Sequence, residues 1–399
     1  MKNIRKFETT AEMENAVLED VSVSYVNEEN KVYTTPENGG QSDSDYSAMY
    51  TTFVALEDGA FSFTKKGTGD DIQYSKDNGS TWTPLASGEP LNVVTGDKVM
   101  WKSTITPNFG FGSFSSNAKF NVSGNIMSLL YGDDFKKQTN LEGKDYAFYI
   151  LFENCSFLID ASNLILPATT LANSCYQYMF SGCTSLTTAP ELPATTLADY
   201  CYTNMFHGCT SLTTAPELPA LNLATQCYYG MFYRCYNLTT SPSILPATTL
   251  ADYCYYEMFY GCARLTTAPE LPATTLAYSC YYYMFNLCTS LTTAPELPAT
   301  TLASKCYQGM FVDCTSLTTA PELPATTLAS SCYQYMFTDC TNLKHITMLA
   351  TDISASKCLK NWVSGVASTG AFTKHKDMTS LPSGVSGIPE GWAVEDAIL

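Results

Sequence analysis

Sixteen cysteines are the first residues whose type and spacing could do chemistry, because fourteen of them fall in Cys-x7-Cys pairs such as Cys201 with Cys209. A regular array of thiols could form disulfides, ligate zinc or fill a core. Read as helical residues, positions eight apart lie about 12 Å apart along the axis. A disulfide needs Cα atoms within ~7 Å, so the two members of a pair cannot bridge. Zinc asks for clustered ligands at shorter spacing, usually with histidine, and His207, His345 and His375 are scattered. The thiols are expected to be free, buried and to act as small hydrophobes. No metal and no cofactor is expected.

Other candidates divide in the same way between chemistry and structure. Glu191, Glu217, Glu270, Glu296 and Glu322 recur at one repeat position, interrupted at Ser243. Stacked at strand spacing, neighbours would repel by roughly 0.8 kcal/mol in water. Calcium could relieve that, but further oxygen ligands are not evident, and solvated acids are the preferred reading. Ser75-Lys-Asp77-Asn-Gly79-Ser-Thr-Trp82 has the Ser-x-Asp-x-Gly-x-x-Trp pattern of the Asp-box known from sialidases. A single box with few arginines reads as a structural turn: Asp77 bonding the turn backbone, Gly79 taking an unusual φ, Trp82 packing beneath. No phosphate loop, Cys-His pair or Ser-His-Asp set is present, so no catalysis is expected.

Tyrosine carries the remaining signal. Seven copies of a 26-residue stretch, LPATTLADYCYTNMFHGCTSLTTAPE in the copy from Leu192, begin at Leu166, Leu192, Leu218, Leu245, Leu271, Leu297 and Leu323. The start at Leu245 comes one residue late, where Ser-Pro-Ser-Ile replaces Ala-Pro-Glu. Between copies the Cys-Tyr and Met-Phe pairs are constant, and the pairs flanking them vary. Across those 42 variable positions tyrosine occurs 11 times and charged residues seven. An ordinary solvated face would favour Glu, Lys and Arg. Tyrosine with small polar residues is instead the composition of a recognition surface. The candidate ligand-binding residues are Tyr178, Tyr200, Tyr229, Tyr233, Tyr253, Tyr256, Tyr260, Tyr278, Tyr282, Tyr283 and Tyr335. They are densest in units three to five.

The elements that must position them follow from periodicity. Leu197, Cys201, Met205 and Cys209 recur at i, i+4, i+8 and i+12, with Ala198, Tyr202 and Phe206 one step on. That spacing predicts a helix of about three turns, capped by Thr195 or Thr196 and closed by Gly208. Ser211 to Ala215 reads as a short strand ended by Pro216. The fold class is an α/β leucine-rich-repeat solenoid of strand plus helix per unit, with strands on the concave side and the tyrosines on the helical face. Ahead of it, residues 46–145 read as an all-β sandwich-like domain, with Trp82 and Trp101 in the core. Residues 1–45 read as a small attachment module, a helix from Thr10 followed by a hairpin and a polar linker. The repeats with their N-terminal cap take 146–348. A C-terminal cap, 349–399, reads as a last helix over 351–363 and two closing strands.

These residues resemble the BspA-type bacterial leucine-rich repeats, through Cys209-Thr-Ser-Leu212 and Met205-Phe206-His-Gly-Cys209. The stretches KNIRKFETTAEMENA, GNIMSLLYGDDF and LATDISASKCLKNW resemble modular structural proteins of phages that infect gut Bacteroidota, and related surface proteins of those bacteria. The resemblance implies adhesion: a displayed phage fibre or decoration protein that meets a host-surface glycan or protein through its repeats. Its N-terminal region would hold other virion proteins. The location implied is the virion, or alternatively the bacterial surface, with a homotrimer possible by analogy to fibres. The alternative is a virion spacer without a ligand. A net charge of −17 argues against nucleic-acid partners. No run approaches the ~18 apolar residues of a membrane span, and the opening turns polar too soon for a secretory signal.

Overall fold

The computed structural model describes residues 24–26, 32–34 and 46–398. The chain divides into two units, 1–45 and 46–399. In the first, β1 (Ser24–Val26) pairs antiparallel with β2 (Val32–Thr34), Ser24 opposite Thr34. The helix expected from Thr10 and the linker over 36–45 lie outside the described residues.

The second unit opens with eight strands: β3 (Thr51–Ala55), β4 (Gly59–Lys65), β5 (Ile72–Ser75), β6 (Thr83–Leu85), β7 (Leu91–Val93), β8 (Lys98–Lys102), β9 (Gly112–Ser116) and β10 (Phe120–Asn125). Phe61 and Phe63 alternate with Ser62 and Thr64, so one face of β4 is buried. Two sheets result: one in the order β7-β4-β9, the other running β10-β3-β8-β5-β6. They meet through Phe53 of β3, whose ring lies 5.4 Å from Phe61 and 4.8 Å from Phe114. Trp101 is fully buried there. Trp82 is not in this core. It lies half-buried, 4.9 Å from the Tyr50 ring with the Lys102 ammonium 4.3 Å above it.

The larger sheet gains a sixth strand from the repeat region. β11 (Leu158–Ile165) pairs parallel with β10. Asp160 of β11 then bridges Thr188, and parallel bridges recur at Thr214–Thr240, Thr267–Thr293 and Thr319–His345. At the far end β12 (His345–Met348), β13 (Ala371–Lys374) and β14 (Ala393–Asp396) form a parallel three-stranded sheet. A second bridge row runs Asn140–Thr170–Thr196–Asn222 and continues at Thr249–Thr275–Thr301. The units therefore stack in register, but each contributes single bridging residues in place of the strand expected at Ser211–Ala215.

The expected helix is also absent from the described repeats. Residues 199–209 form a run of consecutive turns. Every fourth residue is left-handed: Tyr200 at φ 60°, Asn204 at 53° and Gly208 at 70°. The same triplet recurs in every unit, from Tyr146, Ile150 and Asn154 to Lys357, Asn361 and Gly365. The backbone accounting is complete along the run. The N–H groups of Tyr200, Tyr202, Asn204, Phe206 and Gly208 donate to Thr225, Cys227, Tyr229, Met231 and Tyr233 of the next unit. Those of Cys201, Thr203, Met205, His207 and Cys209 donate three residues back. An apolar pair every four residues fits a three-turn helix and a four-residue turn repeat alike, and the hydrogen bonds between units select the second. The last expected helix, over 351–363, is likewise replaced by a run of turns, over 356–365, and ahead of it Asp352 Oδ1 accepts from the Ser354 N–H.

Left-handed residues other than glycine cost about 1–2 kcal/mol each. Five bonds per unit between neighbours, at about 1 kcal/mol each net, roughly offset that. The surplus comes from ring packing. Tyr176, Tyr202, Tyr228, Tyr255, Tyr281, Tyr307 and Tyr333 form one buried column, and Phe180 to Phe337 a second, both ending on Trp362. All sixteen cysteines are free and buried. The second of each pair donates its thiol to the phenylalanine carbonyl of the unit before, as Cys209 Sγ does to Phe180 O at 3.1 Å.

The curvature expected from wide helices opposite narrow strands loses its cause, since the turn runs are themselves hydrogen-bonded from unit to unit.

Candidate functional site

The six variable positions of each unit lie on the turn run, in the gaps between its buried pairs. Cys201-Tyr202 and Met205-Phe206 point inward. Of the flanking pairs Asp199-Tyr200 is exposed, but Thr203-Asn204 is buried, as are Ser174, Ser181, Ser279, Asn286, Gln308, Ser331 and Gln334 in other units, so the variable positions expected in solvent are only partly there. Register places equivalent positions of successive units directly over one another, so variable side chains form columns.

Two columns are aromatic. Tyr229, Tyr256 and Tyr282 stack at 4.6 and 4.5 Å with planes within 7° of parallel. His207, Tyr233 and Tyr260 stack beside them at 5.0 and 4.6 Å. Tyr283 meets Tyr282 edge-on at 4.5 Å and lies over Gly309, where a Cβ would fall 2.5 Å from its ring. Tyr253 touches Tyr256 at 5.9 Å and Tyr278 at 5.2 Å, and the Lys305 ammonium sits 5.2 Å over Tyr278. Eight of the eleven candidate tyrosines thus gather across units three to five. Tyr178 and Tyr335 border the cluster, acting on the Tyr229 and Tyr283 phenols respectively, and Tyr200 lies outside its ring contacts. Tyr178 contacts Tyr149, Tyr335 lies under Lys360, and Tyr200 is exposed. The clustered rings are half-buried, because stacking covers their faces and leaves edges and hydroxyls toward solvent.

Buried groups within the cluster shift accordingly. Burial, then the Glu257 carboxylate, pushes the Tyr229 phenol up to about 12. The same two causes raise Tyr256 further. Burial alone raises Glu257 to about 7. Lys305 pulls Tyr278 down.

Sequence reading passed over Glu257, Asn286, Gln308 and His207 because none is tyrosine. Each occupies one of the variable positions, so the column register would have found them. The Tyr282 column continues to Gln308 and the Tyr260 column to Asn286, both deeply buried.

The remaining candidates hold local structure. Asp77 Oδ1 accepts from Ser75 Oγ at 2.7 Å and from the Thr81 N–H at 2.9 Å, while Thr81 Oγ1 donates to Oδ2 at 2.6 Å. Those bonds, Thr81 first, lower its carboxyl to about 2. Gly79 is left-handed at φ 84°, 3.7 Å from the Trp82 ring when a Cβ is built on it. Of the glutamate row, Glu217 accepts from the N–H and hydroxyl of Ser243, the residue that interrupts it. Among the described residues no three acidic, histidine or cysteine side chains cluster as metal ligands would. No described helix is long and apolar enough to cross a membrane.

Comparison with known families finds six copies of the BspA-type leucine-rich-repeat region, over residues 145–266 and 254–362, more than half the chain. No curated protein and no solved structure matches it.

Proposed function

The chain belongs to the BspA-type leucine-rich-repeat family, and from that membership and its tyrosine columns we infer a non-enzymatic recognition protein of the adhesion type. The observation that carries the reading is the contrast within each unit. Backbone register and buried residues repeat almost unchanged, while eight tyrosines collect at variable positions of adjacent units. Rigid, two-torsion aromatic side chains supply contact area at low entropic cost. Held in register by the solenoid, they form a preorganised surface.

The reading extends to a particle or cell surface: a phage fibre or decoration protein whose turn face meets a host-surface glycan or protein. It would be anchored to other virion proteins through residues 1–45, with trimerisation as in other fibres. The resemblances of the termini support that setting. The competing reading is a spacer whose repeats supply only length.

Binding of the full-length chain to host cells separates the two. Replacing Tyr256, Tyr282 and Tyr283 together with serine abolishes adsorption if the columns recognise a ligand. Undiminished adsorption by a folded triple variant removes the turn face from consideration.

A further inference from the structure

Glu257 is the feature of the tyrosine cluster that packing alone does not explain. It sits at the left-handed position of its unit, φ 52°, between Tyr256 of one column and Tyr260 of the other. Its N–H donates to the Tyr282 carbonyl at 2.8 Å and its own carbonyl accepts from the Tyr260 N–H at 3.1 Å, which sets it between the two columns. Its charge raises the phenols of Tyr229, Tyr233, Tyr256, Tyr282 and Tyr283. It is half-buried and has neither a hydrogen-bond donor nor an ion-pair partner among the described residues. The nearest cations are engaged elsewhere: Arg234 lies over Tyr233 and Lys305 over Tyr278, each at 5.2 Å. A carboxylate withdrawn from water without a partner is costly. Glycine serves the same position in two other units, at Gly230 and Gly309.

The surroundings are rich in acceptors. Where the two columns end, Gln308 Oε1 and Asn286 Oδ1 are buried without a hydrogen-bond partner. Asn286 lies one unit beyond Glu257 and Gln308 two: the Gly261 N–H donates to the Asn286 carbonyl and the Tyr283 N–H to that of Gln308. The tyrosine faces, which would hold a quaternary ammonium by cation–π attraction, are occupied by stacking at 4.5–4.6 Å. What is left is a carboxylate, hydroxyl oxygens and amide oxygens. A group with one positive charge and three N–H donors matches that set.

We propose that Glu257 and the phenols around it form a binding site for a protonated primary amine, such as a lysine side chain or an unacetylated amino sugar. The proposal deepens the recognition reading above and rests on it. The ammonium supplies the donor and counter-charge that Glu257 lacks, and the columns fix its position.

Titration of the full-length chain with n-butylammonium chloride, followed by tyrosine fluorescence at constant ionic strength, tests this. Saturable binding is expected, with 1-butanol silent and tetramethylammonium at least about tenfold weaker, since a charge-assisted hydrogen bond contributes that much. Glu257→Gln should weaken butylammonium by about tenfold or more. Glu257→Gly, which suits the left-handed backbone, gives the same loss in a chain that folds at least as well. Glucosamine and a lysine-rich peptide serve as parallel ligands, and the one whose binding depends more on Glu257 identifies the source. Equal binding of 1-butanol, no saturation, or an unaffected Glu257→Gln variant overturns the site. Adsorption to cells that persists in that case, and is lost in the triple tyrosine variant, leaves the recognition reading standing.

Discussion

The repeats hold two sets of tyrosines that differ only in which way the turn run points them. The inner set, Tyr176 to Tyr333, is constant, fully buried and spaced 5.6–6.1 Å ring to ring. The outer set varies, is half-buried and in its columns stacks at 4.5–4.6 Å. The rings thus stack more closely in the outer columns than in the core. Inner hydroxyls are a liability: those of Tyr176, Tyr228 and Tyr307 are buried without partners. Outer hydroxyls border solvent and Glu257. One residue type is used for volume on one side and for a polar edge on the other.

The comparison can be broken most forcefully from the inside. Tyr255→Ala should cost about 3–5 kcal/mol, the usual penalty for emptying a buried aromatic site, read as a drop in denaturation midpoint. Tyr256→Ser, one residue away, should cost only about 1–2 kcal/mol, because it forfeits two stacking contacts and little core. Equal costs would mean the outer column is core as well. Between pH 4.5 and about 7 the contribution of Glu257 to stability should fall as pH rises. The folded state holds the Glu257 proton more tightly than the unfolded chain does, and the effect flattens above that window. Tyr229, Tyr233, Tyr256, Tyr282 and Tyr283, all raised, face it and stay protonated across the window. His207 of the second column, lowered by burial and then by Arg234, contributes in the opposite direction. The difference between the pH profiles of the wild type and Glu257→Gln isolates that share. Tyr228→Phe should be neutral or stabilising by up to about 1 kcal/mol, since it deletes an unpaired hydroxyl. Leu287→Gly, at φ 61° on the surface, should gain a comparable amount by relieving left-handed strain. A loss there would show that Leu287 is held by contacts and not merely tolerated.

Much of this was legible in the chain. The period and the buried Cys-Tyr and Met-Phe pairs follow from spacing alone, whereas several variable positions expected in solvent, Thr203 and Asn204 among them, are buried. The strands of 51–125 follow from alternation, as in Ala60-Phe61-Ser62-Phe63. The turn run was not seen, because i and i+4 spacing serves a helix equally well. A signal was available. Gly230 and Gly309 would sit mid-helix at about 1 kcal/mol each, and an apolar pair at a strict four-residue step drifts about 40° per step around a 3.6-residue helix. Gly208, the expected helix end, and its counterparts Gly182 and Gly261 are left-handed. They are the third of three such positions rather than a cap. Trp82 went to the core on composition, whereas its hairpin leaves it between Tyr50 and Lys102.

By itself the sequence determined which side chains face in, which vary and how often the pattern returns, because burial follows local periodicity. Tertiary structure alone decided the backbone of the turn face and the state of Glu257. The left-handed residues are stable only when a neighbouring unit accepts their N–H groups. The carboxylate is half-withdrawn from water only when tyrosines from units three, four and five pack around it. Both conditions join residues about 26 positions apart, which no local pattern specifies.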